Sequence, residues 1–154
     1  MSSDPPGLDR FDRAILDVLS TDGRISLTDL AARIGLSKTP TQARLRRLER
    51  EGVITGYRAM LDPIRIRRDH VAFVEVKLSD TREKALTAFN AAVRRVAEIE
   101  QCYMLAAGFD YLLKVRTADM AAYRRVLAED ISTLPHVAHT STYVAMQAVK
   151  EGGL

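Results

Sequence analysis

The stretch from Ser26 to Gly52, SLTDLAARIGLSKTPTQARLRRLEREG, constrains this chain more than any other. It reads as a short helix, a tight turn at Gly35 and a second helix dense in positive charge. Ser26 is placed to cap the first helix, with Asp29 three residues on as the acidic half of a capping box. Leu30, Ala31 and Ile34 recur at helical spacing and give that helix one apolar face. Gly35 suits the left-handed conformation that ends a helix, after which Leu36 folds back onto the core. Ser37 is predicted to cap the second helix. Pro40 falls in its first turn, where a missing N–H costs little. Gly52 closes it.

The second helix has two unlike sides. At 100° per residue, Thr41, Leu45 and Leu48 fall together, and Thr39, Ala43, Arg46, Arg47 and Arg50 fall opposite. Between Lys38 and Arg50 stand five basic residues and one acid, Glu49. Such a face fits the polyanionic backbone of DNA, where each neutralised phosphate releases counterions. Gln pairs with adenine through two hydrogen bonds, and Thr touches a thymine methyl. Ser37, Lys38, Thr39, Thr41, Gln42, Arg44, Arg46, Arg47 and Arg50 are therefore the candidate DNA contacts. Of these, Thr39, Gln42, Arg46 and Arg50 are the direct ones, Lys38, Arg44 and Arg47 the electrostatic aids. A solvated basic helix explains five charges alone equally well; the helix–glycine turn–capped helix beside them favours a helix-turn-helix.

Charge is placed unevenly along the 154 residues. Residues 1–68 hold 13 basic and 9 acidic side chains, and residues 69–154 hold 10 and 11. A nucleic-acid-binding half joined to a half with another task fits that asymmetry. The single cysteine, Cys102, excludes an internal disulfide and points to a reducing compartment. No run approaches the ~18 apolar residues of a membrane span, and residues 1–7 lack the pattern of a signal peptide. The expectation is a soluble, cytoplasmic protein with no membrane contact.

Residues 1–7, MSSDPPG, read as a disordered tail. A helix from Asp9 to about Leu19 follows, with Asp9 and Asp12 as its capping pair and Phe11, Ile15, Val18 and Leu19 as its apolar positions. Residues 8–52 thus form a three-helix head, and residues 53–69 read as a strand, VITGYRAML, and a basic linker. From His70 the period changes to two. Ala72, Val74, Val76 and Leu78 alternate with Phe73, Glu75 and Lys77, as in a half-buried strand. Helix 81–96, strand 99–107, strand 111–116, a helix capped by Asp119 and ended before Pro135, and strand 137–146 complete a β-α-β-β-α-β order over 70–154. The fold class is α+β: a winged-type helix-turn-helix followed by a ferredoxin-like, ACT-like domain. Its helices cover one sheet face only, so a second copy is expected on the other, giving a homodimer.

Chemistry for catalysis is sparse. His136 and His139 start a strand and diverge rather than converge on a metal, and Cys102 has no close cysteine or histidine partner. No glycine-rich phosphate loop and no GxSxG occurs. No catalytic residue, metal or cofactor is expected. The segment Ala107-Gly108-Phe109-Asp110-Tyr111 stands out. Gly108 would let backbone N–H groups approach an anion and Asp110 would meet a cation, a pairing suited to a free amino acid. A plain hairpin turn accounts for the same residues and, on physical grounds alone, is favoured.

The chain resembles the Lrp/AsnC (feast/famine) family of transcription regulators. The motifs that carry this are Leu8-Asp9…Asp12-Arg13…Ile15-Leu16, DGRISLTDLAARIGLS (22–37), RLRRLEREGVITGYRAMLDP (44–63), GFDYLLKV (108–115) and TSTYVAMQAVK (140–150). The resemblance implies an N-terminal helix-turn-helix that binds double-stranded operator DNA, and a C-terminal amino-acid-sensing domain. It implies dimers that join into tetramers or octamers. The effector would sit between dimers, held by the loop Ala107, Gly108, Phe109 and Asp110 and by Thr140 and Thr142. Within the family, SKTPTQARLRRLEREG, VAFVEVKLSDTREKAL and STYVAMQAVKE resemble the regulators of proline utilisation, which implies activation of proline catabolism in response to proline. Ala97 departs from the usual proline before the second strand, and Ile66-Arg67-Arg68 from the usual Leu-Gly linker. The alternative, a ferredoxin-like metabolic-sensor or enzyme domain with an accessory helical head, lacks a convergent acid/base set. RNA binding by the sheet would need more central aromatics than Phe73.

Overall fold

The computed structural model describes residues 7–151. The expected tail thus lies, but for Gly7, outside the described residues. The chain divides near residue 60 into two units.

The first unit holds α1 (Arg10–Thr21), α2 (Leu27–Ile34) and α3 (Lys38–Arg50). Asp9 caps α1 by accepting from the Phe11 and Asp12 amides, and Asp12 returns the bond to the Asp9 amide at 3.0 Å. Ser26 caps α2 through the Asp29 amide. Gly35 and Gly52, both at φ 72°, end α2 and α3 with the crossed bonds of a left-handed cap: Leu36 N–H to Ala31 O, and Val53 N–H to Leu48 O. Ser37 stands at the start of α3 but its hydroxyl makes no capping bond. Pro40, the third helical residue, removes one of the two amides an N-cap side chain normally serves. The core is small: Ile15, Leu30, Ile34 and Leu48 are buried, ringed by Leu16, Leu19, Ile25, Leu36, Leu45 and Ile54 among others.

The expected strand over 53–61 does not form; among the described residues the segment pairs with no strand. Tyr57 instead turns its hydroxyl to the Glu49 carboxylate of α3 at 2.8 Å. Burial and that carboxylate push the phenol up to about 12.

The second unit is the antiparallel sheet β1 (His70–Leu78), β2 (Ile99–Met104), β3 (Tyr111–Thr117) and β4 (Val137–Val144), in the order β2-β3-β1-β4. With α4 (Glu83–Val93) and α5 (Met120–Val126) it follows the predicted ferredoxin-like order. Beyond Val126, α5 continues as a π-helical turn, Leu127–Ile131. One sheet face carries Ala72, Val74, Val76, Leu78, Leu113 and Val115 into a core with Phe89, Val93, Tyr123 and Ile131. The other carries Phe73, whose register neighbours are Lys114 and Tyr143. Glu151 bonds Lys114 at 2.7 Å and Arg116 at 2.6 Å. Arg116 also reaches Glu100 and the Arg68 carbonyl, so linker residue 68 groups with the sheet. Among the described residues no helix is long and apolar enough to cross a membrane.

Candidate functional site

Packing sorts the residues of α3 by angle. Thr41 and Leu48 are buried, while Thr39, Gln42, Ala43, Arg46, Glu49 and Arg50 form an exposed stripe, with Ser37 and Lys38 exposed at the helix start. Thr41 is removed from the set of DNA contacts: it is fully buried and its hydroxyl donates to the Ser37 carbonyl at 2.9 Å. It shares the inward side with Leu48, as its helical angle requires.

Arg44 and Arg47 also leave the outer stripe. Arg44 donates to Asp9 at 2.6 Å and to Asp12 at 2.9 Å, and Arg47 donates to the other Asp12 oxygen at 2.6 Å. The Arg44 guanidinium lies over the Phe11 ring as well. The role of Asp12 thus goes beyond the cap that its position in the sequence implies. The sequence signal for it is a matched spacing: acids at 9 and 12 on α1 face arginines at 44 and 47 on α3, each pair one helical turn apart. The Asp12 side chain is 1% exposed. Burial raises its pKa, but the bonds from Arg47, the Asp9 amide and Arg44 outweigh burial and hold it at about 2.

A carboxyl depressed in the folded state contributes stability above its unfolded pKa and loses it as pH falls. The head should therefore lose about 2 kcal/mol from Asp12 alone between roughly pH 5 and pH 2. Acid unfolding followed by circular dichroism checks this: Asp12→Asn should flatten the pH dependence in that window. An unchanged slope would assign the acid sensitivity to other carboxylates.

In the second unit, the loop between β2 and β3 folds onto the end of β1. The Asp110 amide donates to Val76 O at 2.9 Å, and the Leu105 amide to Asp110 O at 3.0 Å. The Asp110 carboxylate accepts from the Leu78 amide at 2.8 Å and meets Lys77 Nζ at 3.2 Å. Asp110 is thus first the pin that shapes the loop. Ala107 and Gly108 are exposed and Phe109 partly so. Gly108 has ordinary φ, and a Cβ built on it would meet nothing within 4 Å. Nothing inside the chain demands glycine there.

Thr140 stands opposite Val76 in the register and so lies beside this loop's anchor. Thr142, opposite Val74, turns toward α5 and shares a 2.5 Å hydrogen bond with Tyr123. Near the loop's base, a cavity of about 500 Å³ opens between α4 and β2. Asn90, Arg94, Gln101, Cys102, Met104 and Tyr111 are among its lining residues. Sequence analysis did not assemble it, because α4 and β2 contribute to it at no recognisable spacing. Burial pushes the Cys102 thiol up. Among the described residues no three His, Cys, Asp or Glu side chains gather as metal ligands.

Comparison with known proteins covers both units. Residues 8–55 match the winged helix-turn-helix DNA-binding family, and residues 71–154 match the Lrp/AsnC ligand binding domain. A proline dehydrogenase transcriptional activator of Rhizobium radiobacter is 61% identical over 147 residues, covering 96% of this chain and 94% of its own. One of Rhodobacter capsulatus is 60% identical over 144 residues, covering 94% of each. Among solved structures, a transcriptional regulator of Neisseria meningitidis in complex with L-methionine superposes with a TM-score of 0.86. It is 30% identical and covers 94% of this chain and 93% of its own.

Proposed function

The chain belongs to the Lrp/AsnC family of DNA-binding transcription regulators, and from that premise we propose that it activates proline catabolism in response to proline. It is a regulator that senses an amino acid, not an enzyme. The main support for proline is the identity of about 60% to proline dehydrogenase activators, which runs through head and sensor alike. Its place of action is the cytoplasm.

DNA meets the outer stripe of α3. Arg46 and Arg50 neutralise phosphates with Lys38, and Thr39 and Gln42 reach base edges. The Ser37 hydroxyl, not spent on a cap, adds a phosphate donor beside the amides of the helix start. The effector sits on the loop Ala107–Asp110, with Thr140 at its edge and Thr142 behind, fixed by Tyr123. The exposed Gly108 backbone takes the effector carboxylate, and Asp110 and its Lys77 partner set the local charge. The open sheet face bearing Phe73 and Tyr143 pairs with a second copy, and dimers join into tetramers or octamers around the effector. Binding there shifts the assembly between arrangements of the heads, and DNA affinity changes in reciprocal measure.

Thermal unfolding in the presence of each of the twenty amino acids tests the effector. Proline should raise the transition of the ligand-binding unit as ligand linkage requires. Asp110→Asn retains an acceptor for the Leu78 amide yet loses the charge, and Gly108→Leu fills the open space beyond Cβ. Both should keep the unliganded transition and lose at least about two-thirds of the proline shift, as expected of a roughly tenfold or greater loss of affinity near saturation. Full shifts in both variants would remove the loop from the site.

A further inference from the structure

Five cations lie on α3, but the fold treats them as two groups. Lys38, Arg46 and Arg50 are exposed, and among the described residues none pairs with an acid. Arg44 and Arg47 point along the flank that meets α1, and their guanidiniums end on Asp9 and Asp12. Asp12 is the centre of this arrangement. One of its oxygens takes Arg44. The other takes both Arg47 and the Asp9 amide. Its side chain is all but sealed from water, whereas those of Arg44 and Arg47 are 28% and 32% exposed. Each arginine is therefore within reach of solvent, and of a phosphate, yet is turned inward by the buried Asp12, with the more exposed Asp9 holding Arg44 as well.

We propose that Asp12 is a positioning residue for DNA recognition: it fixes α3 against α1 and withholds Arg44 and Arg47 from the phosphate backbone. The physical consequence is selectivity. Phosphate neutralisation adds affinity without regard to sequence, so every cation released to the backbone strengthens the wrong duplexes along with the right one. Two arginines held back leave discrimination to Thr39 and Gln42 on a helix whose rotation is set by charged bonds from both arginines to Asp12 and by a further one from Arg44 to Asp9. Tyr57 adds to the sorting by engaging Glu49, the acid within the outer stripe. This rests on the placement of DNA on the outer face of α3, so the test carries its own control for that placement.

The test measures binding of the full chain, over a series of salt concentrations, to a duplex selected by the protein from random sequence and to a scrambled duplex of equal length. Arg46→Gln should flatten the salt slope by about one for each phosphate no longer neutralised; an unchanged slope would refute the DNA face and the Asp12 proposal with it, whereas a flattened slope leaves the Asp12 variants to decide. Arg44→Gln and Arg47→Gln should leave the slope as it is, any loss of affinity being the same at every salt. Asp12→Asn should steepen the slope on the scrambled duplex by about one to two and lower the ratio of selected to scrambled affinity about tenfold or more. Asp12→Glu, which keeps the charge, should retain the original slope. The proposal is overturned if either arginine variant flattens the slope as Arg46→Gln does, or if folded Asp12→Asn keeps the original slope and ratio. Should Asp12→Asn fail to fold, the two arginine variants decide alone.

Discussion

Leu48→Ala is expected to abolish DNA binding while leaving the amino-acid response of the ligand-binding unit in place. Leu48 is fully buried in a small head core, clustered with Ile15, Leu30 and Ile34. Truncating a leucine at such a site costs about 2–5 kcal/mol, most or all of the stability a unit this small commands. The carbonyl of Leu48 also receives the amides of Val53 and Ile54, so collapse there loosens the close of α3 as well. The sheet unit has a core of its own, and its unfolding should proceed as before. Differential scanning calorimetry with parallel DNA and amino-acid titrations checks this. The head transition should fall below the working temperature and DNA affinity should vanish with it. Unimpaired DNA binding would show that the head draws its stability from elsewhere.

The second large effect comes from the surface. Arg46→Ala with Arg50→Ala should lower operator affinity about 10- to 100-fold at moderate salt and flatten the salt dependence by about two. Neither side chain contributes to the head core, so the unfolding temperature should stay within a degree or two. Loss of affinity with unchanged stability separates this pair from Leu48→Ala. An unaltered slope would mean that the duplex lies on another face.

Much of this was legible in the residues because local rules dominate it. The capping signals at Asp9 and Ser26, the glycines at 35 and 52 and the alternation over 70–78 each state an element boundary within a few residues of themselves. Where local rules run out, a partner distant in the chain decides the outcome. Thr41 has the chemistry of a base contact, and only its angle on α3 shows that it faces inward. Arg44 and Arg47 read as free cations in the sequence, and α1 brings Asp9 and Asp12 across from them. Asp110 reads as a ligand group, yet its first bonds go to Leu78 and Lys77, more than thirty residues upstream. The segment 53–61 has the composition of a strand, but a strand needs a neighbour, and the described residues offer none. The residues of Ala107–Tyr111 alone favour a plain hairpin turn over a binding loop. The folding of this segment onto the end of β1 fits both, and the ordinary φ of Gly108 makes the free space beyond it the stronger reason for a glycine.

The central claim is that an amino acid on the sheet unit changes how strongly α3 holds DNA. The most direct measurement is the affinity of the intact protein for its selected duplex with and without saturating proline, at one fixed salt concentration. A change of about fivefold or more, matched by an equal change in proline affinity when DNA is bound, is the predicted result. Identical DNA affinity at zero and saturating proline would contradict it.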